Sequence, residues 1–175
     1  MRAVYQGSFN PPTIGHIAIV NSAIDRFGIS ELHLAISTVA LGKEELTVPS
    51  VADRVEILRR SLSQIPEASV LETRKQLIAD IAEGYDLVIL GADKWAQLHD
   101  LSFYKDKEHM AQCLRRLPKL AVAPRNGIAV PQEILLTVPE EINSISSSQV
   151  RRGKFEWMTK EAYEIGKDRG FWGIS

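Results

Sequence analysis

Short apolar runs alternate along this chain with stretches in which apolar residues recur every three or four positions. The runs at residues 2–6, 32–37, 69–71, 86–90, 120–123 and 134–138 have the length and composition of strands. The run at 86–90 is almost wholly apolar and stops at Gly91, as a parallel strand covered on both faces does. After the first run, Ile17, Val20, Ile24 and Phe27 line one face of a helix expected over residues 13–27, with Gly28 as its stop. Ser50 and Asp53 stand three apart around the start of a second apolar face, Val51, Val55, Leu58 and Leu62, the pattern of a capped helix. Leu77, Ile78 and Ile81 mark another. The C-terminal part, about 146–175, is expected to be helical, with its clearest helix around 161–167.

Alternation of strand and helix predicts an α/β domain: an open parallel sheet with helices on both faces and right-handed crossovers, Rossmann-like in plan. At 175 residues, a single domain over 1–175 is expected, and no repeat, low-complexity tract or linker divides it. A hydrophobic share of 45% makes the chain globular rather than disordered. The net charge of −1 provides no global field for nucleic acid or anionic membrane, so neither partner is expected. The lone Cys113 excludes an internal disulfide framework and suits a reducing compartment. No apolar run approaches the ~18 residues of a membrane span, and the chain enters its first strand too early for a signal peptide. A cytoplasmic protein is the expectation; a homo-oligomer stays open.

Residues Gly7-Ser8-Phe9-Asn10-Pro11-Pro12-Thr13-Ile14-Gly15-His16 directly follow the first strand. A glycine turn leads through a stiff Asn-Pro-Pro spacer into a helix start, whose free N–H groups and positive dipole end favour an anion. His16 falls in the first turn of that helix, so this is a phosphate-binding turn carrying an imidazole. Near the other end, Ile145-Ser146-Ser147-Ser148-Gln149-Val150-Arg151 offers a second helix start, with serine hydroxyls to cap or donate and an arginine one turn on. Either segment alone reads as an ordinary cap. The two together in one small domain point to a polyphosphate.

The pair resembles the nucleotidylyltransferase superfamily, whose signatures Thr13-Ile14-Gly15-His16 and Ile145-Ser146-Ser147-Ser148-Gln149-Val150-Arg151 match. Within it the chain is most similar to the nicotinate/nicotinamide mononucleotide adenylyltransferases, through the first motif, Gly7–His16, and through Ile89-Leu90-Gly91-Ala92-Asp93. Lys43, Arg54 and Pro124-Arg125-Asn126 are smaller echoes, and the resemblance spans about residues 2–152. It implies transfer of AMP from ATP to a phosphate-bearing acceptor, with pyrophosphate released and Mg²⁺ carried by the phosphates. It further implies His16, Thr13, Arg151 and Lys43 as catalytic residues. Gly7, Ser8, Phe9, Gly15, His16, Gly91, Asp93, Ser146, Ser147, Ser148 and Arg151 would bind ATP, with Ser148 mainly a cap. Lys43, Trp95 and Arg125 would meet the acceptor, and no protein metal site is expected.

Such a reaction needs little acid–base help, because a phosphate monoester oxygen is already anionic near neutral pH. The site must align two anions and stabilise charge on the α-phosphate and the leaving group. Departures from the family pattern cluster at the acceptor side. Glu72-Thr73-Arg74-Lys75-Gln76-Leu77 stands where nicotinate mononucleotide enzymes carry Ser-Tyr-Thr, and the loop at 38–43 lacks Pro-Pro-His-Lys. Arg74 and Lys75 are candidate acceptor contacts or plain surface charges. Phosphopantetheine adenylyltransferase, to which Asp53-Arg54-Val55-Glu56 is similar, and a cytidylyltransferase stay open as alternatives. So does a regulatory module that binds nucleotide without turnover. A P-loop and a Gly-x-Gly-x-x-Gly turn are both absent. Taken singly, Asp93 reads as a helix start, Lys43 as a solvated loop residue, and Trp95, Trp157 and Trp172 as packing residues.

Overall fold

The computed structural model of the chain describes residues 1–39 and 48–175. Its sheet holds five strands: β1 (Arg2–Gln6), β2 (Glu31–Ser37), β3 (Ala68–Thr73), β4 (Leu87–Gly91) and β5 (Lys119–Ala123). All pairs are parallel, in the order β3-β2-β1-β4-β5. The helices are α1 (Ile14–Phe27), α2 (Val51–Ser61), α3 (Ile78–Ile81), α4 (Ala92–Gln97), α5 (Lys107–Arg116), α6 (Ser147–Val150) and α7 (Lys160–Arg169).

Side-chain alternation along the strands builds two cores. Ala3, Tyr5, Leu32, Leu34, Leu87 and Ile89 pack on one face against Val20 and Ala23 of α1 and Val55 and Leu58 of α2. Val4, Ala35, Val88 and Leu90 pack on the other face against Ile81 of α3, Trp95 of α4 and Leu114 of α5. Central strands buried on both sides read as continuous apolar runs for this reason. A third cluster, with Ile57, Val150, Met158, Ala162, Phe171 and Ile174, ties the outer side of α2 to α6, α7 and the C-terminal residues.

The expected α/β sheet is therefore present, and several local signals act as read. Thr13 is the N-cap of α1, Gly28 ends that helix in the left-handed region at φ 60°, and Ser50 and Asp53 form a reciprocal capping box. Residues 134–138, expected as a strand, are not one. Val122 bonds through its N–H to Ile134 O and through its carbonyl to the Leu136 N–H, both at 2.8 Å, and the ladder ends there. Pro131 and Pro139, which have no N–H to donate, bracket the segment. Helix α5 was not anticipated, although Asp106 caps it and Met110, Cys113, Leu114 and Leu117 have helical spacing. The tail is α-helical only over α6 and α7; Gly170, left-handed at φ 69°, stops α7 and a short turn follows. No described helix is long and apolar enough to cross a membrane.

Candidate active site

Chain direction across the sheet reverses at β1, so a crevice opens beyond the carboxyl ends of β1 and β4. A cleft of about 210 Å³ lies there, with the residues after β1, the start of α1, the end of β4, the turn after β5 and the start of α6 in its wall. Gly7, Ser8, Phe9, Thr13, Gly15, His16, Gly91, Asp93, Arg125, Ser146, Ser147, Ser148 and Arg151 all line it. Two expected residues are not in that lining, for different reasons. Lys43 lies outside the described residues. Trp95 faces away from the cleft, packed into the second core beside His99 at a ring distance of 5.1 Å, because the first turn of α4 rotates it toward the sheet. Lys75, raised as an acceptor contact, is tied to Asp80 O at 2.7 Å.

The two signature segments meet because Gly15 has no side chain. A Cβ there would stand 3.1 Å from Ile145 Cγ2, so this glycine lets α1 and the segment before α6 touch. Gly7 has the same function for Phe9, whose ring would lie 2.9 Å from an added Cβ. Phe9 itself sits in the left-handed region, at φ 45°. Its buried ring, edge-on to Tyr5 at 5.3 Å and His16 at 5.1 Å, holds the backbone in that uncommon conformation.

His16 Nδ1 accepts the Thr13 backbone N–H at 2.9 Å and lies 2.8 Å from Thr13 Oγ1. A nitrogen that accepts a backbone N–H carries a lone pair, so the proton of the neutral ring sits on Nε2. Among the described residues Nε2 has no protein partner, which leaves this N–H for a ligand in the cleft. Burial, and secondarily the positive charge of Arg125, push the His16 pKa down to about 4. The ring is accordingly a neutral donor at physiological pH. The Thr13 hydroxyl lines the cleft, accepts the His16 backbone N–H at 3.2 Å and faces the imidazole.

The carbonyls of the loop between β1 and α1 are engaged by protein donors. Arg54 donates to Ser8 O at 3.2 Å, Arg151 to Asn10 O at 2.5 Å, and Ser147 to Pro11 O at 2.7 Å. The Thr159 N–H takes Pro12 O at 3.2 Å. The N–H groups of Ser8, Phe9 and Asn10 have no protein acceptor among the described residues. A run of free N–H groups around a left-handed residue forms an anion-binding concavity. Three cations, Lys94, Arg125 and Arg151, line the cleft against one carboxylate, Asp93. Asp93 is ion-paired with Arg125, which also reaches Ile145 O at 3.3 Å. Ser146, not Ser148, caps α6, accepting the Gln149 N–H at 3.2 Å. Ser148 lies inside the helix and meets Arg151 at 3.3 Å.

A model of the cytidylyltransferase-like family matches residues 4–153. The chain belongs to that family. This cytidylyltransferase-like chain is 30% identical over 162 residues to a protein named "probable nicotinate-nucleotide adenylyltransferase" from Sulfurimonas denitrificans, covering 85% of this chain and 82% of that protein. A protein of the same name from a Nitratiruptor species is 28% identical, with 81% and 84% covered. A phosphopantetheine adenylyltransferase from Cutibacterium acnes is 29% identical, with 86% and 83% covered. The chain is thus a member of the nucleotidyltransferase superfamily, and the matched span holds both signature segments.

Two residues that sequence reasoning passed over, Gln6 and Lys94, line the main cleft and also a second cavity of about 50 Å³. Gln76, Leu77, Gln97, Phe103 and Tyr104 complete much of that cavity's wall. Lys94 Nζ donates to Gln97 Oε1 at 3.1 Å, and Gln6 Oε1 is buried without a partner among the described residues. Their positions, the last residue of β1 and the residue after Asp93, were the available signal.

Proposed function

We propose that this protein transfers AMP from ATP to nicotinate mononucleotide, releasing pyrophosphate and forming a dinucleotide. The observation that carries this reading is the cradle after β1: free N–H groups at the cleft-lining Ser8 and Phe9 beside a neutral His16 that offers Nε2–H. An acceptor phosphate oxygen attacks the α-phosphorus. The bond to the β-bridging oxygen breaks, and its electron pair leaves with pyrophosphate. No proton need move, since the attacking oxygen is anionic. The chain's task is to orient both anions and to donate hydrogen bonds to the oxygens that gain charge. His16 and the loop N–H groups serve the α-phosphate; Ser146, Ser147 and Arg151 serve the β- and γ-phosphates.

Mg²⁺ enters as part of the substrate, held by the triphosphate oxygens. The donors present fit this: Asp93, the carboxylate in the cleft wall, is engaged by Arg125, and the described residues contain no cluster of three metal-ligating side chains. The second cavity supports the pyridine acceptor. It shares Gln6 and Lys94 with the main cleft, is walled by Phe103 and Tyr104, and is small for a flexible pantetheine arm. Gln76 and Leu77, from the segment that departs from the family pattern, stand in its wall, and the Lys94 ammonium suits a carboxylate. The phosphopantetheine reading draws on the Cutibacterium relative and on Arg54 of α2, nearly buried against Ser8 O.

The test is pyrophosphate release with nicotinate mononucleotide, nicotinamide mononucleotide or phosphopantetheine as acceptor, with ATP and then CTP as donor. ATP with nicotinate mononucleotide is expected to be fastest. Lys94→Met is expected to raise the KM for that acceptor about tenfold while leaving the KM for ATP within about twofold. Faster turnover of phosphopantetheine would replace the pyridine reading. Silence with every acceptor while ATP binds would make the protein a nucleotide-binding module.

A further inference from the structure

The family model ends at residue 153, yet the loop that carries the phosphate cradle is held partly by residues beyond it. The Trp172 indole Nε1–H donates to Asn10 Oδ1 at 2.7 Å, across 162 positions of sequence. The Thr159 N–H takes Pro12 O at 3.2 Å. These two tethers differ in kind from the loop contacts of Ser147 and Arg151. Those two side chains line the cleft and stand where a triphosphate would draw on them. An arginine that turns toward a phosphate loosens its hold on Asn10 O. The indole N–H and the Thr159 N–H are not in the cleft wall, so their hold on the loop is independent of ligand.

Trp172 is itself held in an unusual state. Its backbone is left-handed at φ 56°, uncommon for a bulky residue, and its ring lies 2.8 Å from where a Cβ on Gly166 would be. The absence of a side chain at Gly166 seats the indole on α7. Arg169 in turn fixes α7 to α2 through Asp53 at 3.0 Å and Glu56 at 2.9 Å. A rigid path thus runs from α2 through α7 to the Asn10 side chain.

We propose that Trp172 is a positioning residue for the catalytic loop: its indole N–H, bonded to Asn10 Oδ1, keeps the cleft-lining Ser8 and Phe9 and their free N–H groups in place when Arg151 and Ser147 engage phosphate. The inference rests on the adenylyl-transfer reading for its effect on rate, but not for its effect on the loop. Trp172→Phe keeps an aromatic ring at the site and deletes the donor. Asn10→Ala deletes the acceptor. Each single variant is expected to lower kcat about tenfold, with the KM for ATP changed less than about threefold. The double variant is expected to be no slower than the slower single one, because both remove one bond. Amide hydrogen exchange at Gly7 and Thr13, the loop N–H groups that are hydrogen-bonded (to Ala35 O and to His16 Nδ1), is expected to quicken about equally in all three variants of the full chain, while exchange in the middle of β1 and β4 stays unchanged.

Losses that multiply in the double variant, or a rate loss that only follows the folded fraction, would overturn the proposal. So would unchanged exchange at the loop. If the wild-type chain releases no pyrophosphate, the functional reading fails, and the exchange measurements with and without ATP still decide the positioning claim.

Discussion

In the proposed reaction His16 is the residue on which the chemistry turns, and its environment makes it a donor without charge. Desolvation and the nearby Arg125 favour the neutral ring, and the Thr13 N–H on Nδ1 selects the Nε2–H tautomer. Titration of the His16 ring followed by NMR is expected to give a pKa near 4 in the free protein. Arg125→Met is expected to raise it, because removing the positive charge removes the smaller of the two causes. A midpoint at or above 6 would mean that the ring is solvated and not held as described. Gly7 has an equally local role. Gly7→Ala puts a methyl group 2.9 Å from the buried Phe9 ring and is expected to destabilise the fold by about 1–3 kcal/mol in urea unfolding. A neutral result would show that Phe9 has room to move, and that the cradle is looser than the geometry implies.

Elements whose signals lie within a few residues are legible in the amino-acid sequence alone. The Thr13 cap, the Ser50–Asp53 box and the Gly28 stop are local hydrogen-bond chemistry, and each is seen. The misread elements depend on neighbours. Residues 134–138 have strand composition, but their flanking prolines limit them to one rung on β5. Ser148 resembles a cap because the three serines are chemically alike; which one caps depends on where α6 begins, and that is Ser146. The Thr13 cap is legible locally; that the same residue also holds the His16 ring through its N–H and hydroxyl is not. Thr13→Ala should therefore act twice. Loss of the cap is expected to cost about 1 kcal/mol of stability, and the freed imidazole is expected to lower kcat beyond what unfolding explains. A kcat unchanged per folded molecule would separate Thr13 from the orientation of His16.

The whole molecule brings together positions that no local pattern connects. Asn10 and Trp172, or Gly15 and Ile145, become neighbours only after five strands and the C-terminal cluster are in place. That is why the part of the cleft lined by the two signature segments is readable from the sequence, while Gln6, Lys94 and the tail contacts are not. The buried His16 also couples the site to global stability. Its folded pKa lies below the unfolded value of about 6.5, so the unfolded chain binds more protons between those values. The stabilisation from its neutral form is complete above about pH 6.5 and is lost as pH falls toward 4. Thermal midpoints are expected to drop across that window in the wild type and less steeply in His16→Gln; parallel curves would contradict the assigned pKa.

The central claim is that the β1–α1 loop and His16 stabilise a phosphoryl group in transfer. Its most direct measurement is pyrophosphate release from ATP with nicotinate mononucleotide, comparing the wild type with His16→Ala under saturating substrates. Wild-type turnover with a fall of about 10²–10³ in kcat for a folded His16→Ala variant is predicted, the scale of losing one preorganised donor. A His16→Ala variant that turns over near the wild-type rate would contradict the account.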